Sequence, residues 1–186
     1  MSTDRIKVLV TAIGGGGHGE QILKALRLSG NERYLIVGAD AQPHCPQFQW
    51  VEERIVLPMA NDPFYIDIVL DACERLGVRA LFHGCEPELL RMSAERERIR
   101  EKGIFLPINP APLIDICMNK EKTNSYLSEM GFAPPRYLRP KAPEDLEAVD
   151  WFPVVVKPAI GGGGSANCYI AQNHRELRAL AEYIGF

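Results

Sequence analysis

The stretch PVVVKPAIGGGGS, residues 153–165, decides the fold of the second half of the chain. Three consecutive valines are typical of a β-strand, and such a strand delivers the Lys157 ammonium to a fixed place. The four glycines that follow can lay their backbone amides over an anion without hindrance from side chains. A lysine that ends an apolar strand is costly to bury without a counter-charge, so the stretch predicts a bound phosphate.

A second lysine, Lys120, lies in a comparable setting 37 residues earlier. Asn119 is a good cap for a helix that starts at Lys120, and Gly131 is well placed to end that helix. A cation in the first helical turn is disfavoured by the helix dipole unless an anion is also recruited. The pair therefore predicts that Lys120 and Lys157 bind the phosphates of a nucleoside triphosphate, with ATP as the expected ligand.

The first hundred residues alternate short apolar strands with amphipathic helices, a pattern that predicts a parallel sheet covered on both faces. Strands are predicted over residues 6–11, 34–37, 55–57, 79–83 and 104–108. Helices are predicted after the first strand, from Asp62 and Pro63 to Gly77, and over the charged residues 87–102.

A run of prolines near residue 110 predicts a domain boundary, with a Rossmann-like α/β domain over residues 1–110 and a small α+β lobe over residues 111–186. In this lobe we predict strands over residues 154–157 and 168–171. The last helix is predicted to be capped by Asn173 with Glu176. The inner face of the helix that begins near Asn119 is predicted to carry Thr123, Tyr126, Leu127 and Met130.

An earlier glycine run, GGGGHG at residues 14–19, supports a different hypothesis. It satisfies the pattern G-x-G-x-x-G, follows a strand, opens a helix, and precedes Asp40 by about twenty residues. These features are typical of a nicotinamide-dependent oxidoreductase that would use Gly14, Gly16, Gly19 and Asp40. The alternative is a tight turn that lets the helix pack closely on the sheet, and the sequence leaves both open.

Composition excludes several classes of protein. The 186 residues are 46% hydrophobic with a formal net charge of −3, which predicts a globular protein without a nucleic-acid partner. No long apolar segment predicts a membrane span, so we expect a cytoplasmic protein. The five cysteines show no Cys-x-x-Cys spacing, and no metal site is predicted from the sparse pairs His44, Cys45, His83 and Cys85.

Taken in order, these motifs resemble the ATP-grasp superfamily, most closely the large subunit of carbamoyl-phosphate synthase and more distantly biotin carboxylase. The resemblance covers essentially the whole chain. Residues 1–110 resemble the pre-ATP-grasp domain, and residues 83–89 occupy the place of its acidic strand-end segment. Residues 119–123 are similar to the Asp-Lys-x-x-Thr helix start of the superfamily, with Asn119 in place of the usual aspartate.

The resemblance implies roles for particular residues. Those expected to contact ATP phosphates are Lys120, Lys157, Gly161, Gly162, Gly163, Gly164 and Ser165. Those expected on the substrate side are Gly15, Gly16, His18, Glu86 and Glu88.

The resemblance also implies a chemistry, in which ATP and magnesium phosphorylate a small carboxylate and an amine attacks the acylphosphate. Superfamily members hold adenine, magnesium and the acylphosphate with residues that follow this region. We therefore expect a truncated lobe without catalytic residues or metal ligands, which is inactive alone and is completed by a second polypeptide. The alternative within the superfamily is a non-catalytic half of a split ATP-grasp protein.

Overall fold

The computed structural model of the chain describes residues 5–29, 33–161 and 166–185. Its α/β architecture matches the predicted fold class. The chain divides into two compact units, the first ending at Ala111 and the second beginning at Pro112. Within the described residues, no helix is both long and apolar enough to cross a membrane.

The first unit is built on a four-stranded parallel sheet with the strand order β3-β2-β1-β4. Chain order runs outward from β1 to β3 and then returns to β4 on the other side of β1. The carboxyl ends of β1 and β4 therefore form a topological switch point, where open α/β sheets bind ligands. The strands are β1 (Ile6–Val10), β2 (Tyr34–Asp40), β3 (Glu53–Val56) and β4 (Ala80–Phe82).

Helices cover both faces of this sheet, because successive side chains of the buried strands point to opposite sides. Val8 packs in a cluster with Leu23 of the first helix, whereas Leu9 packs with Val69 of the second. The helices are α1 (His18–Leu28), α2 (Tyr65–Leu76), α3 (Glu86–Ala94) and α4 (Arg96–Glu101), and a 3₁₀ helix covers Pro46–Trp50.

The ends of the four strands differ from the prediction by one to three residues, and three other elements of the first unit differ more substantially. The second helix begins at Tyr65 and not at Asp62, because the Asp62 carboxylate accepts from the N–H of Phe64 over 2.8 Å in a turn before the helix. The charged segment forms two helices that break at Glu95. The strand predicted over residues 104–108 is reduced to one bridge, in which Phe105 extends the sheet beside β4.

The second unit combines helices with a two-stranded antiparallel sheet. One face of the sheet packs on the last helix, in a cluster that includes Leu146, Ala171 and Leu177. The elements are α5 (Ala111–Cys117), α6 (Lys120–Glu129), a 3₁₀ helix (Pro143–Ala148), β5 (Val154–Val156), β6 (Tyr169–Ala171) and α7 (His174–Ile184). The sequence did not predict α5 or the two 3₁₀ helices.

The predicted ends of the helices in this unit are confirmed. The Asn119 side chain accepts from backbone amides of α6, Gly131 ends that helix at φ = +82°, and the Asn173 side chain accepts from the amide of Glu176. The predicted inner face of α6 is wrong, however. No residue of α6 is buried, and Met130 just beyond it is 59% exposed, because no element of the described structure covers this stripe.

Candidate functional site

One short segment, residues 157–161, involves both predicted lysines: Lys157 begins it, and Lys120 is hydrogen-bonded to it. The backbone N–H of Lys120 donates to the carbonyl of Ala159 over 3.0 Å. The Lys120 ammonium donates to the carbonyl of Gly161, also over 3.0 Å. Because Lys157 begins this segment, the start of α6 and the end of β5 form one local structure.

Asn119 fixes the start of α6 on this segment. Its backbone pairs with Ile160 in an isolated antiparallel bridge. Its side-chain oxygen accepts from the amides of Glu121 at 3.0 Å and Lys122 at 3.2 Å. The first amides of the helix are therefore satisfied within the protein, and an anion at this site would be bound by the lysine ammonium groups rather than by the helix terminus.

Thr123 completes this arrangement. Its hydroxyl lies 2.9 Å from the carbonyl of Ile116 and 2.9 Å from the carbonyl of Asn119. Because Ile116 lies in the last turn of α5, the hydroxyl joins the end of one helix to the start of the next. Thr123, the threonine of the predicted motif, therefore positions Lys120. The conformation of Thr123 is set by contacts within the second unit.

The β5–β6 sheet presents an apolar surface beside Lys157. Val154 and Val156 face the α7 cluster, whereas Val155 points away and is 57% exposed. Its register partner on β6, Ile170, is 62% exposed. Alternation along an extended chain puts Val155 and Lys157 on the same side. Lys157 is itself exposed, so the burial that the sequence suggested for it is not observed.

The glycine segment after β5 is described only at its first residue. Gly161 has φ = +75°, a backbone conformation that favours glycine. The predicted phosphate contacts of Gly162, Gly163, Gly164 and Ser165 lie outside the described residues, so those roles stay predictions.

The first glycine run forms a tight turn at the switch point of the first unit. Gly15 and Gly16 both have φ = +73°. A Cβ at Gly19 would lie 2.5 Å from the carbonyl oxygen of Thr11, and a Cβ at Gly84 would lie 1.9 Å from the same atom. The glycines at positions 19 and 84 are therefore required for close packing of α1 and the loop after β4 against β1.

Two carboxylates already occupy amides of this turn. Asp40 accepts from the N–H of Gly14 over 2.8 Å and from the N–H of Gln42 over 2.9 Å. Glu20 accepts from the N–H of Gly16 over 3.1 Å. The acidic residue expected to bind a ribose in the dinucleotide hypothesis is thus engaged in holding the turn.

Two histidines meet at the same edge of the sheet. The rings of His18 and His83 pack edge to face with centroids 6.4 Å apart. Burial lowers the pKa of His83; nearby Glu88 opposes this shift and His18 adds to it. The Nδ1 atom of His83 is buried and has no hydrogen-bond partner within the described structure. His18 therefore lies at the switch point, and its substrate-side role stays a prediction.

The two glutamates predicted on the substrate side are in different environments. Glu86 is half-buried in the first turn of α3. Glu88 is buried, and its carboxylate accepts from the Thr11 hydroxyl at 2.6 Å, the Tyr65 hydroxyl at 2.7 Å and the Gly84 amide at 2.9 Å. Glu88 is therefore not available to a substrate, and its role is to hold β1, β4 and α2 together.

Sequence reasoning missed three residues of this region. Thr11 and Tyr65 are fully buried and donate to Glu88, and burial raises the pKa of Tyr65, with a further rise from the Glu88 charge, so its hydroxyl stays a donor. The third residue is Glu20, in the first turn of α1. Glu20 could have been identified from the sequence, because an acidic residue in the first turn of a helix interacts favourably with the helix dipole.

No metal cluster is formed by the described residues, in which no three His, Cys, Asp or Glu side chains are grouped as ligands. Burial raises the pKa of the Cys85 thiol to about 11, so the thiol is protonated at neutral pH.

Three solved structures of ATP-grasp enzymes share this fold. The biotin carboxylase domain of 2-oxoglutarate carboxylase from Hydrogenobacter thermophilus is 19% identical, with a TM-score of 0.67 over 96% of this chain and 40% of that chain. L-amino acid ligase from Bacillus licheniformis is 22% identical, with a TM-score of 0.69 over 97% and 42%. N5-carboxyaminoimidazole ribonucleotide synthetase from Thermotoga maritima is 20% identical, with a TM-score of 0.63 over 94% and 43%.

The fold is therefore that of the N-terminal part of an ATP-grasp enzyme, as the sequence resemblance predicted. Residues 8–107 match the family model described as PylC-like, N-terminal domain, and the chain belongs to this family. No curated protein matches the chain. The chain spans about two fifths of the length of the three solved structures.

Proposed function

We propose that this chain is the phosphate-binding part of an ATP-grasp ligase that activates a small carboxylate for attack by an amine. One observation carries the proposal: backbone and side-chain hydrogen bonds of Lys120 fix the segment that begins at Lys157. The Lys120 ammonium therefore lies at the start of a glycine-rich segment that an exposed lysine, Lys157, precedes, an arrangement suited to a chain of phosphates.

The geometry leaves donors available for phosphate oxygens. An ammonium group has three N–H donors, and within the described residues the Lys120 ammonium uses one of them, on the carbonyl of Gly161. The exposed Lys157 side chain can reach a ligand above the sheet. We assign Lys157 to the α- and β-phosphates and Gly161, with the glycines after it, to the β- and γ-phosphates.

The apolar face beside Lys157 fits a nucleotide better than a free phosphate. Val155 and Ile170 are paired across β5 and β6 and expose more than half of their surface. A purine ring held on its other face by residues that follow this region would lie over these two side chains, and it would remove apolar area from water while its phosphates reach Lys157. This arrangement supports ATP as the ligand.

The chemistry that we propose proceeds in two steps. The γ-phosphoryl group passes from ATP to a carboxylate oxygen with release of ADP, and an amine then displaces phosphate from the acylphosphate. Magnesium would neutralise the charge on the phosphates, and we expect its ligands outside this chain. The structure of the Hydrogenobacter thermophilus domain contains bound molecules of comparable kinds, namely MgADP, ADP and bicarbonate. The resemblance to carbamoyl-phosphate synthase favours a small carboxylate of this kind.

The dinucleotide hypothesis is disfavoured by the first glycine turn. A pyrophosphate would need the amides that Asp40 and Glu20 occupy, and a ribose would need the Asp40 carboxylate itself. Neither group is free, so a nicotinamide-dependent oxidoreductase is the weaker candidate.

Titration of the full chain with ATP tests the proposed function. We expect Lys157→Ala and Lys120→Ala each to weaken ATP binding about tenfold or more, since a hydrogen bond to a charged group contributes about 1.5–3 kcal/mol. Isothermal calorimetry or the displacement of a fluorescent ATP analogue would measure the change.

Lys141→Ala is the matched control, because Lys141 is an exposed lysine of the same unit that lies outside the segment. Its ATP affinity should equal that of the wild type. Unchanged ATP affinity in both Lys157→Ala and Lys120→Ala would contradict the proposal. Tight NADH binding together with no ATP binding would favour the oxidoreductase.

A further inference from the structure

The first glycine turn carries a carboxylate of its own. Glu20 Oε2 accepts from the Gly16 amide over 3.1 Å and from the Gln47 side chain over 3.0 Å, while Oε1 pairs with Lys24 at 2.7 Å. The Glu20 side chain is only 13% exposed. It is therefore held in one position by partners from the turn, from its own helix and from the 3₁₀ helix.

A second carboxylate, that of Asp40, binds another amide of the same turn. The Asp40 carboxylate accepts from the amides of Gly14 and Gln42, one on each oxygen. A glycine turn before a helix normally offers its amides to a phosphate. Here two of those amides, at Gly14 and Gly16, already donate to carboxylates of the protein.

We propose that Glu20 is a specificity-determining residue that closes the first glycine turn to phosphate-bearing ligands. An incoming pyrophosphate would have to displace the Glu20 carboxylate from Gly16 and would then lie beside it, with Asp40 also close. The ammonium of Lys24 compensates only one of these two negative charges. The phosphates of a nucleotide therefore bind to the second unit. The switch point between β1 and β4 binds only ligands without phosphate.

This inference does not require ATP to bind at the two lysines, because it concerns a different unit of the chain. The test therefore uses a readout confined to the turn. The backbone amide resonances of residues 14–19 in a ¹⁵N-labelled full chain report binding at the turn, which belongs to a different unit from Lys157. The probes are inorganic pyrophosphate and NADH.

In the wild type we expect no saturable shift of these resonances at millimolar pyrophosphate. Glu20→Ala removes both the charge and the occupant of the Gly16 amide, and should bind pyrophosphate at least tenfold more tightly. Glu20→Gln keeps the size of the side chain but loses its charge, and should show a smaller gain. This second variant keeps the test decisive if Glu20→Ala does not fold.

Lys24→Met is the matched control, because it removes the ion pair and leaves the carboxylate on the Gly16 amide. The glycine turn of this variant should, like that of the wild type, show no saturable binding of pyrophosphate. The inference is overturned if the wild-type turn saturates with pyrophosphate or NADH as readily as the Glu20 variants do. It is equally overturned if folded Glu20→Ala or folded Glu20→Gln shows no gain.

Discussion

At the scale of single residues, the carboxylate of Glu88 is a buried and fully hydrogen-bonded group of the first unit. It accepts three hydrogen bonds, from Thr11, Tyr65 and Gly84, and is only 6% exposed. Removing a buried acceptor leaves its donors without partners and without access to water. The stability of the first unit should therefore depend strongly on this one side chain.

We predict that Glu88→Ala lowers the free energy of unfolding by about 3 kcal/mol, because three buried donors lose their acceptor. Glu88→Gln should cost less, since its amide oxygen retains part of the accepting capacity. Chemical denaturation followed by circular dichroism would measure both. Glu86→Gln, two residues earlier on α3, is the control and should change stability by no more than about 0.5 kcal/mol. Equal stability of Glu88→Ala and Glu86→Gln would contradict this role.

Residue-scale prediction from the sequence succeeded where the signal was local. The caps Asn119 and Asn173 were found because a cap and the amides it accepts from are at most three residues apart. The partners of Glu88 were missed because Thr11 is 77 positions away and Tyr65 is 23 positions away, and only the fold brings them together.

At the scale of elements, Glu52 joins α1 to two strands of the sheet. Its carboxylate pairs with Arg5 at 2.9 Å and Arg27 at 2.8 Å, and accepts from the amide of Ile36 at 2.9 Å. Desolvation alone would raise its pKa, but the bonds from Arg27, Ile36 and Arg5 together lower the pKa of Glu52 from 4.5 to about 2. A lowered pKa in the folded state means that these bonds stabilise the protein when the group is ionised.

A pH dependence of stability follows. The contribution of Glu52 is fully present above about pH 4.5 and is lost as the pH falls toward 2. We expect Glu52→Gln to lose on the order of 1 kcal/mol at pH 7, after allowance for solvent screening. The difference between wild type and variant should shrink as the pH falls. Denaturation at pH 7 and at pH 3 measures it, and a constant difference at the two pH values would contradict the assignment.

Element-scale prediction was limited by tertiary context. Apolar spacing predicted the existence of α1, α2 and α7, because each has a periodic face that packs on a sheet. The same spacing wrongly predicted a covered face for α6, since periodicity indicates an amphipathic helix but does not supply the element that covers it. The charged segment after β4 gave no signal for its break at Glu95.

At the scale of the whole molecule, the chain spans about two fifths of the length of the ATP-grasp structures that share its fold. The lysines and the apolar face that we propose for nucleotide binding belong to the second unit, and the described residues contain no metal cluster. The resemblance implies that the residues that hold magnesium and the acylphosphate follow this region, so we expect ATP binding and catalysis to be separable.

We predict that the isolated chain binds ATP but does not turn it over. With ATP, magnesium and a panel of small carboxylates and amines, the rate of ADP formation should equal that of Lys157→Ala, measured with a coupled assay. Addition of a polypeptide that carries the remaining ATP-grasp residues should produce turnover that depends on Lys157. ADP formation by the wild-type chain alone, absent from the lysine variant, would show that the chain is catalytically complete.

The bond between the Lys120 amide and the Ala159 carbonyl has a consequence for mutational robustness. A main-chain hydrogen bond forms whichever side chains occupy its two positions, with proline at the donor as the exception. The distance between the start of α6 and the end of β5 can therefore be maintained when many of the surrounding residues are substituted. Sequences that have diverged widely around this segment can still present their cations at the same separation, even where no ion pair or packed side chain is retained.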